Sequence, residues 1–479
     1  MLKQLITWHR RIALFCLIPF IIWTLSGLLH PAMSHFAKAP FIKSSPVKIH
    51  LSDLQSYTEL QTALVQQEIS ELSHASLVEY NGDLYYQVRE QSFNHLELHY
   101  LPLSESHENL TDIDYAQYLA TKWSEQNVVD TQLITQFSAT YPEINRVLPV
   151  YQIQLSNGNH VYIDTLAKRI TAHNTPLRDT LSYWFKQLHT WQFAGDRHSP
   201  WRIVPMLIIS IALLVMATFG LIAYSLLWSR IKSKQHTVRS FHRGTGLMLS
   251  VCLLGFSSSS THILIDKFFV QEFRALQPSN QIATLDIRHD PVQAMRRAQG
   301  DNFQLVSIGG KIISQIVSFE KRGMRFSYWD TQQTTYDNNS FVRSILLEQL
   351  EVSGTLNHSE KIDNFGPTYG FVNKRLPVQQ LSFEHAPNVL YSIELHTSYI
   401  AAIDDDWQKA RSWHFGYLHK YHFLNPFGKG IRDSIVTLIC LGLVFVALTG
   451  TYMYFSRTLR QRRAKQQRNL KNNELLENN

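Results

Sequence analysis

Residues 9–30 read HRRIALFCLIPFIIWTLSGLLH, an apolar run that begins at His9-Arg10-Arg11 and ends at His30. A run of about 20 apolar residues is long enough to cross the hydrocarbon of a bilayer as an α-helix. The chain has 479 residues, of which 44% are hydrophobic and 17% charged, and three further runs are comparably apolar. We therefore predict four transmembrane helices, at residues 12–29, 203–227, 244–265 and 435–455.

Lysine and arginine gather in three stretches beside these helices, at residues 1–11, 229–243 and 456–479. The stretches hold 15 of the 45 Lys and Arg but 2 of the 38 Asp and Glu. Short cytoplasmic segments carry such an excess, so we predict that both termini and the 229–243 loop are cytoplasmic. The long segments 31–201 and 266–433 then lie outside. This placement favours a topology signal over nucleic-acid binding as the meaning of the net charge of +7.

The first predicted span has an alternative interpretation. Ala37-Lys38-Ala39 resembles a signal-peptide cleavage site, which leaves removal of the first segment as an alternative to a retained anchor.

The three cysteines, Cys16, Cys252 and Cys440, all fall within predicted spans. We expect them to pack as small apolar residues, and the outer segments contain no cysteine for a disulfide or a thiolate metal site.

The chain contains an internal repeat. Gly220 follows His189 at the same spacing as Gly450 follows His419. Each half is therefore predicted to consist of a helix, an outer domain and a helix, and both halves run in the same direction across the membrane. Four short sequences of the first half recur in order in the second: Trp8-His9-Arg10 as Phe241-His242-Arg243, Leu148-Pro149-Val150 as Leu376-Pro377-Val378, Leu188-His189 as Leu418-His419, and Gly220 with Tyr224 as Gly450 with Tyr454.

The outer segments show strand-like patterns. Runs rich in apolar, aromatic or β-branched residues predict strands, Asn157-Gly158-Asn159 predicts a hairpin turn, and helical spacing predicts a helix at 115–125. We infer small α+β domains on the outer face. The predicted strands are 84–88, 95–101, 150–153, 161–163, 378–383 and 389–395.

Six histidines lie at the ends of predicted helices, each matched by its partner in the repeat. An imidazole in or near a bilayer is costly and commonly marks a cofactor or a proton path. His189 and His419 are each expected on a short separate helix, because Pro200 and Pro426 interrupt the chain before the next span. The six are His9 and His242 at the cytoplasmic starts of the odd helices, His30 and His262 at their outer ends, and His189 and His419 before the even helices.

A b-type haem needs one or two neutral imidazoles, apolar packing and small residues where a helix passes close to the ring. The spans supply the small residues at Gly27, Gly220, Gly246, Gly450 and the serine run 257–260. We predict haem b, two per chain, with the six histidines as candidate ligands; ordinary interfacial histidines are the alternative. His35, His198, His414 and His422 could substitute, whereas other histidines such as His74 are expected to be solvated on the surface.

Other chemistry finds no support in the sequence. There is no phosphate loop, dinucleotide fingerprint, HExxH zinc motif or nucleophile elbow. A hydrolase and a nucleotide-driven pump are therefore not expected.

The whole chain resembles the PepSY-associated transmembrane proteins of bacteria, often called iron-regulated membrane proteins, which include siderophore-iron reductases. The resemblance rests on the His-Arg starts of the odd helices, the Leu-His motifs before the even helices, and Leu25-Ser26-Gly27 with Leu448-Thr449-Gly450. Residues 148–170 resemble the PepSY unit. The second half departs from the pattern at Ser260, where the first has Gly27, and its PepSY-like stretch 376–400 is degenerate.

The resemblance implies a bacterial inner-membrane reductase with haem between its helices, which passes electrons outward to ferric iron held by a siderophore. An inner haem near His9 and His242 would accept the electron, and an outer haem near some of His30, His189, His262 and His419 would deliver it. The donor would be a quinol or a cytoplasmic reductase. The implied segments are 1–30, 202–228, 244–265 and 434–455 for the helices, 31–201 and 266–433 for two periplasmic PepSY-like domains, 229–243 for a cytoplasmic loop and 456–479 for a basic tail.

Two alternatives remain open. In one, the outer domains bind peptides or restrain a protease and no haem is present; in the other, the protein transports the siderophore or its iron. The spans hold few polar residues, which disfavours transport. Four tryptophans near the membrane are expected either in an interfacial belt or beside a bound chelate: Trp184, Trp191, Trp407 and Trp413.

Overall fold

The computed structural model describes residues 2–42, 44, 48–49, 56–91, 96–104, 109–227, 238–269, 275–276, 281–321, 323–330, 336–366, 369–370 and 373–477. Of the predicted 229–243 loop, the bases Arg230, Lys232 and Lys234 lie outside these residues. The helices are α1 Leu2–Gly27, α2 Leu29–Phe36, α3 Leu60–Gln66, α4 Asp112–Ser124, α5 Pro176–Thr190, α6 Pro200–Leu227, α7 Val238–Phe269, α8 Pro291–Ala298, α9 Asn338–Leu350, α10 Asp406–Trp413 and α11 Lys429–Glu477. The strands are β1 Glu71–Tyr80, β2 Asp83–Gln91, β3 Leu96–Pro102, β4 Val128–Ile134, β5 Val150–Leu155, β6 His160–Asp164, β7 Arg169–Asn174, β8 Ile282–Ala283, β9 Asn302–Ile308, β10 Lys311–Glu320, β11 Gly323–Trp329, β12 Leu356–Ile362, β13 Val378–Phe383, β14 Ala386–Glu394 and β15 Ile400–Asp404.

The chain forms two compact units, and the first contains the apolar helices. It consists of Met1–Lys38, Leu177–Glu272 and Trp407–Asn479. Four helices are long and apolar enough to cross a membrane, which confirms the four predicted spans: α1 continuing into α2, α6, α7 and α11. α1 packs against α6 and α11, and α7 packs against the same two helices. We call this part the helical unit.

The second unit, Ala39–Pro176 with Phe273–Asp406, contains all the strands. Both predicted outer segments contribute to one antiparallel sheet with the order β11-β10-β9-β1-β2-β3, and β8 pairs with β1. Alone, the three-stranded sheet of each segment would leave β1 or β9 as an unpaired edge; pairing the two strands removes both edges. The predicted pair of outer domains is therefore one compact unit, which we call the sheet unit.

Two further sheets have the same order in the two halves, β4-β5-β6-β7 and β12-β13-β14-β15. They confirm the predicted strands at 150–153, 161–163, 378–383 and 389–395, and β2, β3 and α4 confirm the earlier ones. The predicted domain boundaries shift, because α2, α5 and α10 lie almost wholly in the helical unit. The separate helix expected before the second span is α5, and before the fourth span it is α10 continued by a π-helical turn, His414–His419.

One predicted surface residue is buried. His74 on β1 is 4% exposed. Because β1 lies inside the joined sheet, seven consecutive residues of the strand are buried, and both of its faces are covered. The sequence of the first half alone could not show that β1 would acquire a neighbour from the second half.

Candidate functional site

His189, near the end of α5, is held against α1. Its Nδ1 lies 3.1 Å from the carbonyl oxygen of Trp23 and 3.2 Å from the hydroxyl of Ser26. A carbonyl oxygen only accepts hydrogen bonds, so Nδ1 carries the proton and donates it, and in the neutral ring the lone pair lies on Nε2. A Cβ added at Gly27 would lie 3.6 Å from Cε1 of the ring.

His9 makes the corresponding contact at the other end of the helical unit. Its Nδ1 donates to the carbonyl oxygen of Met216 in α6, at 3.0 Å. A Cβ at Gly220 would lie only 3.1 Å from Cε1 of the ring. The absence of a side chain at this position therefore lets the imidazole reach the backbone of α6.

His242, the repeat partner of His9, packs in the same way against α11. Its Nδ1 donates to the carbonyl oxygen of Val446 at 3.1 Å and lies 3.2 Å from the hydroxyl of Thr449. A Cβ at Gly450 would lie 3.0 Å from the ring, which is too close for an ordinary contact.

His419, at the end of the π-helical turn, packs against α7. Its Nδ1 lies 3.1 Å from the hydroxyl of Ser259, and the ring also hydrogen-bonds to the backbone of Phe256. The residue four positions after Phe256 is Ser260, where the other three sites have glycine.

These four contacts follow one rule. The acceptor carbonyl belongs to residue i of a neighbouring helix, and residue i+4 is small. In a helix the side chain of residue i+4 lies one turn above residue i on the same face, so a large one would block the approach to this carbonyl. In each case the bond orients the ring and leaves Nε2 as the free lone pair, which is the arrangement that a metal-ligating histidine requires.

The four imidazoles form two layers. On α1, His9 is separated by about five helical turns from Gly27, which contacts His189. On α7, His242 and Ser260 have the same separation along the chain. At a rise of about 1.5 Å per residue both separations are about 27 Å, close to the thickness of the hydrocarbon.

Aromatic side chains surround one of these layers. The rings of His189 and His419 are 6.3 Å apart between centroids and nearly perpendicular, at 81°. Phe185 stacks on His189 at 4.8 Å, while Phe256 and Phe415 each lie 5.2 Å from His419. In the other layer, His9 and His242 are close enough to interact electrostatically. The layer of His189 and His419 therefore gives the Nε2 lone pairs of both rings an apolar, aromatic environment.

The two remaining candidate ligands, His30 and His262, have different neighbours in the structure. His30 lies beside the aromatic layer, 6.4 Å from Phe185 and within electrostatic range of His419. His262 instead pairs with His414, with 2.7 Å between their Nδ1 atoms. The substitutes have other contacts: His35 lies 3.4 Å from Asp433, His198 donates to the carbonyl oxygen of Lys267, and His422 packs on Gly416.

The His262 pair belongs to a polar cluster of its own. Trp407 lies 4.3 Å from the ring of His262 and donates its indole N–H to Asp266 at 2.8 Å. Arg411 also donates to Asp266. This makes Trp407 part of a hydrogen-bonded cluster, whereas Trp184 and Trp413 are about half exposed, as a membrane-interface belt requires.

The four histidines are among the six that the sequence predicts, but their hydrogen-bond acceptors are not predicted. These are the carbonyl groups of Trp23, Met216, Phe256 and Val446, and the hydroxyl groups of Ser26, Ser259 and Thr449. One pattern in the sequence does point to these acceptors. A hydroxyl residue followed by glycine, Ser26-Gly27 and Thr449-Gly450, occurs near the C-terminal end of two of the predicted spans.

Among the described residues, one group of three side chains has the spacing of a metal site, Glu90, Glu97 and His99. Glu90 accepts a hydrogen bond from His99 at 2.8 Å, with both side chains about one-third exposed. This is an ordinary surface hydrogen bond between side chains of neighbouring strands. The partly buried histidines held between helices of the helical unit are the stronger candidates for holding a cofactor.

The comparison with curated proteins gave no match. The family model described as the PepSY-associated TM region matches residues 6–457, nearly the whole chain. Together with the four apolar helices and the sheet unit, this match shows that the chain is a membrane protein of the PepSY-associated transmembrane family.

Proposed function

We propose that this protein is a haem-containing reductase of the bacterial inner membrane that passes electrons outward to ferric iron held by a siderophore. The observation that carries the proposal is the fourfold histidine arrangement described above. Each ring donates its Nδ1 proton or packs its Nδ1 against a neighbouring helix, and each keeps Nε2 free. An interfacial histidine without a cofactor has no need for this repeated orientation.

The topology in this proposal follows from charge and symmetry. Both termini and the 229–243 loop would be cytoplasmic because they carry the basic residues. His9 of α1 contacts α6 as His242 of α7 contacts α11. This equivalence, together with the equal order of the two four-stranded sheets, supports two repeats that run in parallel across the membrane.

The residues of each layer fit a b-type haem. His189 and His419 would hold one, with His30 beside them, and His9 and His242 would hold the other. When bound, haem supplies a centre that gains and loses a single electron. The protein's own part is to keep each Nδ1 proton on its acceptor, which fixes the tautomer and makes the ligand more basic. Phe185, Phe256 and Phe415 exclude water from one layer.

Reduction is a sensible way to release siderophore iron. Hard oxygen ligands hold ferric iron much more tightly than ferrous iron, so one electron weakens the complex. The electron donor would be a quinol or a cytoplasmic reductase. In the proposed topology the sheet unit would be periplasmic, on the same side as the ferric siderophore.

The test is the visible spectrum of the detergent-purified protein, oxidised and then reduced with dithionite, with haem measured per chain. We expect low-spin b-type haem at about two per chain. His189→Ala and His419→Ala should each remove the haem of one layer, whereas His358→Ala, a half-exposed histidine of the sheet unit, should leave the spectrum unchanged.

A colourless protein, purified after expression with an adequate haem supply, would contradict the proposal. The alternative function, peptide binding or protease restraint by the sheet unit, would then be preferred. That alternative also predicts that the two histidine variants behave like the unaltered protein.

A further inference from the structure

A group of basic side chains lies inside the sheet unit, and the proposed electron transfer makes no use of it. Both halves of the chain contribute. Arg89 comes from β2 and Lys168 from the turn after β6, both in the first half. Arg375 and His396 come from the second half and flank strands β13 and β14. We call these residues, with His74, the cationic cluster.

The carboxylates beside the cluster are already engaged by two arginines. Arg169 donates to Asp164 at 3.0 Å and also to Glu394, and Arg375 donates to the other oxygen of Glu394 at 2.9 Å. Burial alone would raise the pKa of Glu394, but these two arginines hold it down to about 2. Glu394 therefore stays ionised between Arg169 and Arg375, and Asp164 is engaged by Arg169.

Arg89 and Lys168 have no carboxylate in a salt bridge among the described residues. Arg89 is 4% exposed, and its Nε donates to the hydroxyl of Ser73 at 2.7 Å. The ammonium of Lys168 donates to the hydroxyl of Ser76 at 2.9 Å, and Ser76 is fully buried. In the described part of this region these two cations lack a paired counter-charge, although an unbalanced buried charge is strongly unfavourable.

Four polar atoms of the cationic cluster have no hydrogen-bond partner within the described residues. They are Nε2 of His74, Nη2 of Arg89, Nε of Arg375 and Nδ1 of His396. The four side chains are each at least nine-tenths buried, with exposed fractions from 3% to 9%. Buried polar atoms in folded proteins nearly always have a partner. The two arginine nitrogens are N–H donors, and each imidazole nitrogen is a donor in the matching tautomer, so the four atoms suit a missing group that accepts hydrogen bonds.

The members lie near one another: His74 is paired with Arg89 across β1 and β2, and Arg89 and Lys168 both donate to serine hydroxyls of β1. His74 interacts electrostatically with Lys168, Arg89 and His396, and Arg89 with Arg375. Burial and the neighbouring Lys168 lower the pKa of His396 to about 3, so this ring is neutral near pH 7. Burial lowers the pKa of Lys168 to about 7, against the opposing effect of Asp164.

We propose that the cationic cluster binds one small oxyanion of the phosphate or sulfate type. A tetrahedral oxyanion accepts several hydrogen bonds from different directions, which suits donors that come from two arginines, a lysine and two histidines. Its negative charge would also balance the unpaired cations. Because Asp164 and Glu394 are already paired, they do not compete for these donors.

The test is equilibrium dialysis of radiolabelled inorganic phosphate against the full-length protein in detergent, in a HEPES buffer free of phosphate, sulfate and chloride. We expect saturable binding of one phosphate per chain. Arg89→Gln and Lys168→Met should each weaken binding about tenfold or more, because each removes a charge-assisted hydrogen bond. Arg325→Gln, which removes an exposed arginine of the same unit paired with Glu320, is the control and should not change binding.

Competition distinguishes a built site from general attraction to a basic protein. Unlabelled sulfate should displace the phosphate, whereas chloride at the same ionic strength should not. No saturable binding to the unaltered protein, equal displacement by chloride, or equal affinity in Lys168→Met would each overturn the proposal. Lys168→Met also covers the case in which Arg89→Gln fails to fold, and none of these results depends on haem.

Discussion

The helical unit and the sheet unit bury polar groups in opposite ways. Around His9, His189, His242 and His419, every Nδ1 has a partner and one lone pair per ring is left over. In the cationic cluster, charged groups outnumber their partners and several N–H donors are left over. A leftover lone pair suits an electron-poor metal centre, and leftover donors suit an anion. The type of unsatisfied group therefore leads us to propose a different type of ligand for each unit.

The largest effect is expected from filling a glycine position beside a histidine. Gly450→Leu and Gly220→Leu place a side chain where a Cβ alone would approach the ring of His242 or His9 to about 3 Å. Displacing either ring should remove the haem of that layer, so haem per chain should fall by about half, with the other layer intact.

Gly244→Leu is the matched control for these two variants. Gly244 lies in the same helix as His242, but a Cβ there meets nothing within 4 Å. Haem measured by absorbance should stay at the unaltered level. Equal haem loss in all three variants would mean that the glycines matter for insertion of the helices and not for the histidines.

An intermediate effect is expected for the pH dependence of the sheet unit. The pKa of Lys168 is lowered from 10.5 to about 7 by burial. Between these two values the unfolded chain binds a proton that the folded chain does not, so stability should fall as the pH falls from 10.5 to about 7. Thermal unfolding in anion-free buffer, followed by circular dichroism, should show this slope.

Two changes should flatten the slope. Lys168→Met removes the titrating group, and added phosphate should raise the pKa of Lys168 in the folded protein by supplying a counter-charge. If phosphate flattened the slope equally in the Lys168→Met variant, the effect would have to come from another group. Lys168 would then not be the group that links the pH dependence of the sheet unit to phosphate binding.

The smallest effect is expected from making the first half resemble the second. Gly27→Ser introduces at the His189 site the residue that Ser260 already supplies at the His419 site. A Cβ at Gly27 would be in ordinary contact with the ring, at 3.6 Å. We expect haem per chain to be unchanged and the stability to differ by no more than about 0.5 kcal/mol. A large loss of haem would show that the two sites are not equivalent.

The sequence alone determined the elements that depend on local pattern. Long apolar runs predicted the four helices, and short runs rich in apolar, aromatic or β-branched residues before each Leu-His motif predicted the strands, because burial in lipid and packing in a sheet each favour a recognisable residue type. The repeat also placed the four histidines among the six candidates, since Trp8-His9-Arg10 recurs as Phe241-His242-Arg243 and Leu188-His189 recurs as Leu418-His419.

Only the tertiary structure decided which groups meet. The acceptors of the histidines are backbone carbonyls, which every residue has and which no sequence pattern marks. The pairing of His262 with His414 and the joining of β1 to β9 also depend on packing between distant segments. His74 is the clearest case: it is expected on the surface from the sequence, and it is buried because strands from the other half of the chain complete the sheet around it.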